Sequence, residues 1–197
     1  MGHSEALMNK VVIGVPCGSG TVKSSMITSL LSAIMSAGCP TALMVRDGCW
    51  VHQSRALFVQ AARESGCSHV FMVDSDQAFP ADIIPRLLSS RKDIVGAAYN
   101  RRQLPLLSTV NALETGQPVI DMPDALFRCH SMGAGCILIK TDVFARIPAP
   151  WFDFVYNLDG SLAQGEDGYF CVKARAAGID VWCDPTIPVK HIGDYEY

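Results

Sequence analysis

Hydrophobic positions along this chain alternate between short apolar runs and stripes with helical spacing. Four runs predict strands, at residues 11–15, 41–45, 70–73 and 94–99. Three segments between them carry apolar residues at i, i+3 and i+4, which predicts helices over residues 26–35, from Ser54 to Glu64, and from Pro80 onward. Three βα units in succession predict a parallel sheet with right-handed crossovers and helices on both faces.

The pattern becomes less regular after Asn100. Residues 100–130 contain turn residues between short extended pieces, with no helical periodicity. A strand is predicted at 136–139, a short helix from Thr141 to just before Pro148, and a last helix over 166–177 closed by Gly178. Residues 180–183 and 187–191 are predicted to be extended. The fold class is therefore α/β, an open mixed sheet whose first half is built from parallel βαβ units.

Composition narrows the class of protein. Hydrophobic residues make up 49% of the chain and charged residues 18%, which excludes a disordered polypeptide. The formal net charge of −3 argues against nucleic-acid binding, which favours a basic surface. No apolar run reaches the roughly 18–20 residues of a membrane span, and the N-terminus has no secretory h-region. Eight cysteines without a C-x-x-C pair favour a reduced, cytoplasmic protein over a disulfide framework.

The sequence Asp74-Ser75-Asp76 directly follows the third predicted strand. Ligands of such sheets bind beyond the carboxyl ends of the strands. Side chains at i and i+2 point to the same side, so the two carboxylates are expected to converge, and they repel unless a cation lies between them. A hard divalent ion that also binds substrate phosphates meets this need. The alternative is an Asx turn that caps the next helix.

Two further motifs lie later in the chain. Glu166 and Asp167 begin the last predicted helix, where the helix dipole favours ionised carboxylates that can act as a general base toward a hydroxyl. Ordinary helix capping is the alternative interpretation. His191 follows an extended segment near the C-terminus, and imidazole is a common ligand of Mn²⁺.

The order of these motifs resembles that of GT-A-fold glycosyltransferases: strand, Asp-Ser-Asp, helix, then Gly133-Ala134-Gly135, Gly-Glu-Asp at a helix start, and a late histidine. The stretch VFMVDSDQAFPADIIPRLLSSRKDIVGAAYNRR is similar to family 2-like transferases, including short bacteriophage versions. The resemblance covers about residues 10–193. It implies a disordered or tag-like arm at 1–9 and a single domain at 10–197, with a nucleotide-binding half at 10–100 and an acceptor and metal half at 101–197. It also implies a bacterial or phage-infected cytoplasm.

The resemblance implies roles for individual residues. Asp76 and His191 correspond to ligands of Mn²⁺ or Mg²⁺, and Asp74 lies toward the metal or the ribose. Asp167 corresponds to the base of inverting members, with Glu166 binding acceptor or donor hydroxyls. Donor contacts are implied for Pro16, Cys17, Asp47, Arg55, Ser75, Gly133 and Gly135.

The loop after the first predicted strand is similar to a phosphate-binding P-loop in part only. The motif G-x-x-x-x-G-K-[ST] requires glycine directly before the lysine, whereas Val22 precedes Lys23 here. A P-loop NTPase is therefore not predicted, and the loop is expected to border the donor nucleotide.

The predicted function is metal-dependent transfer of a sugar from a UDP- or GDP-linked donor to an acceptor hydroxyl, with inversion favoured over retention. Two alternatives stay open. One is a nucleotide-sugar-binding protein without turnover, because the chain ends six residues after His191. The other is a sugar nucleotidyltransferase, which also uses paired aspartates but needs a basic loop that Lys23 represents only faintly. Arg101 and Arg102 are candidate phosphate or acceptor contacts, and self-association to a homo-oligomer is possible.

Overall fold

A mixed eight-stranded sheet lies at the centre of the fold in the computed structural model, which describes residues 9–18 and 20–193. The arm predicted at 1–9 falls, except for Asn9, outside the described residues. The strands are β1 (Val11–Pro16), β2 (Thr41–Arg46), β3 (His69–Val73), β4 (Gln77–Ala78), β5 (Ile94–Ala97), β6 (Asn111–Ala112), β7 (Phe127–Ser131), β8 (Cys136–Lys140), β9 (Val155–Tyr156), β10 (Leu162–Gln164), β11 (Val181–Asp184) and β12 (Lys190–His191). The helices are α1 (Ser24–Ser36), α2 (Val51–Glu64), α3 (Ile83–Ser89), α4 (Val143–Arg146) and α5 (Glu166–Ala176).

The order of strands in the sheet is β2-β1-β3-β8-β5-β11-β7-β6. β1 pairs in parallel with β2 and β3, and β5 pairs in parallel with β11. β8 lies between β3 and β5 and is antiparallel to both. The open mixed sheet agrees with the prediction, but the fourth predicted strand, β5, does not continue the parallel run beside β3. Apolar periodicity identifies buried strands without specifying their neighbours, and for this reason the insertion of β8 was missed.

Helices pack on both faces of the sheet, as the sequence predicts. Along β1, Val11, Ile13 and Val15 pack with residues of α1 and α3, whereas Val12 packs on the opposite face with residues of α2 and α5. The same alternation runs through β3, where Phe71 and the neighbouring Met72 belong to opposite faces. Burial on both faces explains why the central strands are apolar throughout instead of alternating.

Several boundaries differ from the sequence prediction. α2 begins at Val51, three residues before Ser54, and α3 begins at Ile83 because Pro80 is followed by two turn residues. The strands β4, β9 and β10 were not predicted. β4 pairs antiparallel with β12, so that Gln77 lies opposite His191. Strands of two or three residues are too short to show a periodicity. The pairing of β4 with β12 brings the late histidine to the turn that carries the aspartates.

No helix of the described residues has the length and apolar character needed to cross a membrane. All eight cysteines are free thiols in the structure.

Candidate active site

Arg55 joins two of the predicted site carboxylates in a buried cluster. Its Nη2 donates to Asp74 Oδ1 at 3.0 Å and its Nε donates to Glu166 Oε1 at 3.2 Å. Its Nη1 donates to the carbonyl of Ala134 at 2.6 Å, and the side chain is almost fully buried. Burial lowers the pKa of Arg55, but the charges of Asp74 and Glu166 outweigh it and raise that pKa. The guanidinium therefore stays charged and balances both carboxylates.

The two glycines of the Gly-Ala-Gly turn allow close packing against this cluster. The N–H of Gly135 donates to the hydroxyl of Tyr99 at 2.9 Å, and the carbonyl of Gly135 accepts from the N–H of Asp74 at 2.9 Å. A Cβ on Gly135 would overlap the Asp74 carboxylate, the Gln77 amide and the Tyr99 hydroxyl, and a Cβ on Gly133 would overlap Tyr99 as well. The glycines therefore serve internal packing here, and their predicted contact with the donor stays a prediction.

Asp76 has different partners from Asp74. Its Oδ1 lies 3.2 Å from His191 Nε2 and its Oδ2 lies 2.8 Å from Arg102 Nη1. Burial raises the pKa of Asp76, but the hydrogen bond and charge of His191, with the charge of Arg102, bring that pKa below its usual value. Burial lowers the pKa of His191, whereas Asp76 and the carbonyl of Asn100 raise it overall. Each aspartate of the motif thus has its own cationic partner.

Asp76 and His191 fit a divalent cation as one carboxylate and one imidazole ligand. His191 Nδ1 lies 3.1 Å from the carbonyl of Asn100. When Nδ1 donates its proton to that carbonyl, neutral His191 presents the lone pair of Nε2 on the Asp76 side, the tautomer that a metal ligand needs. Asp74 is held by Arg55, and in the described part of the chain no three His, Cys, Asp or Glu side chains are grouped to hold a metal ion. Cations such as Mg²⁺ take their remaining ligands from water and substrate phosphates.

Asp167 faces a cavity beside the Arg55 cluster. The cavity has a volume of about 250 Å³ and is lined by Arg101, Thr109, Asn111, Ser131, Met132, Asp167 and Gly168. Asp167 Oδ1 accepts from the N–H of Gly168 at 2.7 Å. Burial, then the charge of Glu166, raises the pKa of Asp167 more than Arg55 and the Gly168 N–H lower it. A raised pKa makes this carboxylate a stronger base than an ordinary aspartate.

The remaining predicted donor residues lie around the ends of β1 and β2. Cys17 is buried, and its Sγ donates to the carbonyl of Thr21 at 3.0 Å. The N–H of Lys23 donates to the carbonyl of Ser75 at 3.0 Å, which brings the loop after β1 against the aspartate turn. Pro16 is buried at the end of β1, and Asp47 is exposed just after β2. The structure describes no contact between Asp47 and the Arg55 cluster.

Sequence reasoning missed two groups of site residues. Tyr99 and Gln77 pack inside the site, and the Gln77 amide is buried with no hydrogen-bond partner among the described residues. Thr109, Asn111 and Ser131 line the cavity in front of Asp167. Gln77 directly follows the aspartate motif and Tyr99 ends the fourth predicted strand, so their positions offered a signal. The three cavity residues lie within residues 100–130 or directly after them, where the sequence shows no periodicity or motif that would have identified them.

Solved structures that share this fold include A197 from STIV and the inositol-1-phosphate CTP transferase from T. maritima. A197 is 16% identical and aligns over 94% of this chain and 86% of its own, with a TM-score of 0.65. The CTP transferase is 12% identical and aligns over 95% of this chain and 89% of its own, with a TM-score of 0.53. No protein-family model and no curated protein matches the sequence. At these identities the likeness establishes a common fold.

Proposed function

We propose that this chain is a glycosyltransferase that moves a sugar from a nucleotide diphosphate to an acceptor hydroxyl, with Mn²⁺ or Mg²⁺ bound by Asp76 and His191. The observation that carries the proposal is the position of Asp167. It lines a polar cavity, and its neighbour Glu166 is tied through Arg55 to Asp74 at the end of β3. A base that faces a cavity thus lies beside the edge of the sheet where ligands of α/β folds bind.

In this proposal each site residue has one task. Asp167 accepts the proton of the acceptor hydroxyl as that hydroxyl attacks the anomeric carbon, which inverts the configuration there. Arg55 holds Glu166 and Asp74 in place, since its three hydrogen bonds fix the cluster. A bound divalent cation supplies Lewis-acid stabilisation of the negative charge on the departing diphosphate.

The resemblance to GT-A-fold, family 2-like transferases supports the proposal at the level of motif order. The residues after β1 and β2 would border the nucleotide, and the hydrogen bond between Lys23 and Ser75 brings the first of these loops beside the aspartate turn. Pro16, Cys17, Asp47 and Ser75 remain the proposed donor contacts in this region.

Thermal unfolding with UDP or GDP, each with and without Mn²⁺, tests the proposal. One nucleotide should raise the Tm in a Mn²⁺-dependent manner, because a ligand at about 100 times its Kd adds about 2.7 kcal/mol of stability. The shift should disappear in Asp76→Ala and persist in Asp124→Ala, a matched change at an exposed aspartate. The proposal is wrong if neither nucleotide shifts the Tm when Mn²⁺ is present.

A sugar nucleotidyltransferase is the second candidate, favoured by the fold shared with the inositol-1-phosphate CTP transferase. The two functions differ in their products. A glycosyltransferase releases a nucleoside diphosphate from a nucleotide sugar. A nucleotidyltransferase joins a nucleoside triphosphate to a sugar phosphate and releases the pyrophosphate of the triphosphate. Pyrophosphate release from CTP, UTP or GTP with a sugar phosphate would favour the second candidate over the first.

A further inference from the structure

The cavity in front of Asp167 offers groups suited to sugar hydroxyls. Asn111 Nδ2 donates to Ser131 Oγ at 2.8 Å, so the amide oxygen of Asn111 remains an acceptor for a ligand. The hydroxyl of Thr109 donates to the carbonyl of Tyr99 at 2.9 Å and keeps lone pairs on its own oxygen. With the Asp167 carboxylate, these groups give the cavity several acceptors for the O–H groups of one small polar ligand.

Arg101 adds a positive charge to this cavity. In the part of the chain that the structure describes, no carboxylate lies within ion-pair distance of its guanidinium, whereas neighbouring Arg102 is paired with Asp76. Arg101 also lines an adjoining groove of about 520 Å³, whose other lining residues are Leu107, Asn111, Gly116, Gln117, Pro118 and Ile120. Among the described residues, no carboxylate lines this groove. A guanidinium at such a place is a good receptor for a carboxylate or phosphate, which it can bind through two parallel hydrogen bonds.

We propose that this cavity is the acceptor site and that it selects an acceptor sugar with an anionic substituent, a phosphate or a carboxylate, bound by Arg101. The inference rests on the proposed transfer reaction, in which Asp167 is the base. Asp167 lines the cavity and not the groove, whereas Arg101 lines both. The acceptor hydroxyl therefore meets Asp167 while the anionic substituent lies on the groove side, away from that carboxylate.

Titration by NMR with three probes tests the assignment: glucose, glucose 6-phosphate and glucuronate. Each probe is added to the wild-type chain, to Arg101→Gln, to Arg101→Lys, and to Arg128→Gln as a matched loss of one exposed arginine. Both anionic probes, or the one whose anion fits, should bind the wild type more tightly than glucose. Arg101→Gln should weaken that binding by about tenfold, the loss of one charge-assisted contact, and leave glucose unchanged. Arg101→Lys should restore part of the affinity, and Arg128→Gln should match the wild type.

The inference is overturned if neither anionic probe binds the wild type more tightly than glucose, or if the probe that does so binds Arg101→Gln as tightly as the wild type. A parallel titration of the wild type with UDP and GDP in the presence of Mn²⁺ separates this failure from failure of the proposed function. If a nucleotide binds and the anionic probes do not depend on Arg101, only the acceptor assignment is wrong. If the probes depend on Arg101 but neither nucleotide binds, the transfer reaction is wrong, and the acceptor role of the cavity is overturned with it.

Discussion

Arg55 is the residue on which the charge balance of the site depends. The sequence predicts that Asp74 and Asp76 converge on a cation and that Glu166 and Asp167 begin the last helix as ionised carboxylates. In the structure a guanidinium occupies that position for Asp74 and Glu166, and Asp76 has separate partners. Because two of its hydrogen bonds go to ionised carboxylates, Arg55 holds the end of β3 and the start of α5 together with charge-assisted contacts. It acts as a positioning residue for both carboxylates.

Asp167 lies beside this cluster and forms no ion pair with the residues that the structure describes, and its substitution separates binding from turnover. Asp167→Asn should lower the rate of transfer by about 10²–10⁴-fold, the usual contribution of a general base, while Mn²⁺-dependent nucleotide binding persists. The measurement is nucleoside diphosphate release from the nucleotide sugar that binds. A wild-type chain that binds the nucleotide sugar and turns over none of it would instead support a binding protein without catalysis.

The same substitution has an expected effect on stability. Because the pKa of Asp167 is raised in the folded state, ionisation of this carboxyl costs stability. This loss of stability is absent below the pKa of an aspartate in the unfolded chain, about 3.9, and develops as the pH rises through the higher pKa of Asp167 in the folded chain. Asp167→Asn should therefore raise the Tm near neutral pH and leave it nearly unchanged in acid. Glu166→Gln should lower the Tm, because it removes one ionised partner of buried Arg55.

At residue scale the sequence identified the acids and not their partners. Asp74-Ser75-Asp76 and Glu166-Asp167 stood out because carboxylates at a strand end and at a helix start are unusual enough to notice. The partner of Asp74 lies 19 residues earlier in the chain and that of Glu166 lies 111 residues away. Such pairings depend on how helices pack on the sheet, which no local pattern contains.

At the scale of elements, the turn between β7 and β8 organises the site. β8 lies between β3 and β5, and Gly135 at its start meets Asp74 after β3 and Tyr99 after β5. The sequence predicted β8 as a strand and its glycines as a motif. It did not predict that β8 separates β3 from β5. Either edge of a buried apolar strand can pair with another such strand, so the apolar pattern does not specify which strands are neighbours.

Gly135→Ala tests the packing of this turn. The added methyl group would overlap the half-buried Asp74 carboxylate and the buried Gln77 and Tyr99 side chains, so we expect it to lower the free energy of unfolding by roughly 1–3 kcal/mol. Gly18→Ala is the matched control, because nothing lies within 4 Å of the Cβ position there. Urea unfolding monitored by circular dichroism measures both variants. A Gly135→Ala chain as stable as the wild type would show that the turn has room to relax.

At the scale of the whole molecule, the sequence predicts the architecture of the sheet but not the cavity. The chain shares a fold with A197 from STIV at 16% identity, so two chains with few identical residues adopt this fold. The sheet and its two helical layers were predictable because they depend on the pattern of apolar positions. The cavity was not, since its lining comes from separate segments that meet only in the folded chain. Homo-oligomer formation stays a prediction from composition.

The stability of the whole molecule should fall in acid because of a histidine away from the site. His69 begins β3 and is buried, and burial together with the charge of Lys140 lowers its pKa from 6.5 to about 4. A histidine with a depressed pKa is neutral in the folded chain. Its contribution to the free energy of unfolding is therefore complete above its pKa in the unfolded chain, 6.5, and is lost as the pH falls from there toward 4. The loss amounts to at most about 3 kcal/mol.

His69→Gln should remove that part of the acid sensitivity, since glutamine does not titrate. The measurement is the free energy of unfolding in urea at a series of pH values between neutral and about 4, close to the folded pKa of His69. The matched variant His52→Gln keeps His69 and should lose stability in acid as the wild type does. Equal acid sensitivity in His69→Gln and the wild type would contradict the argument, because protonation at other groups would then account for all of it.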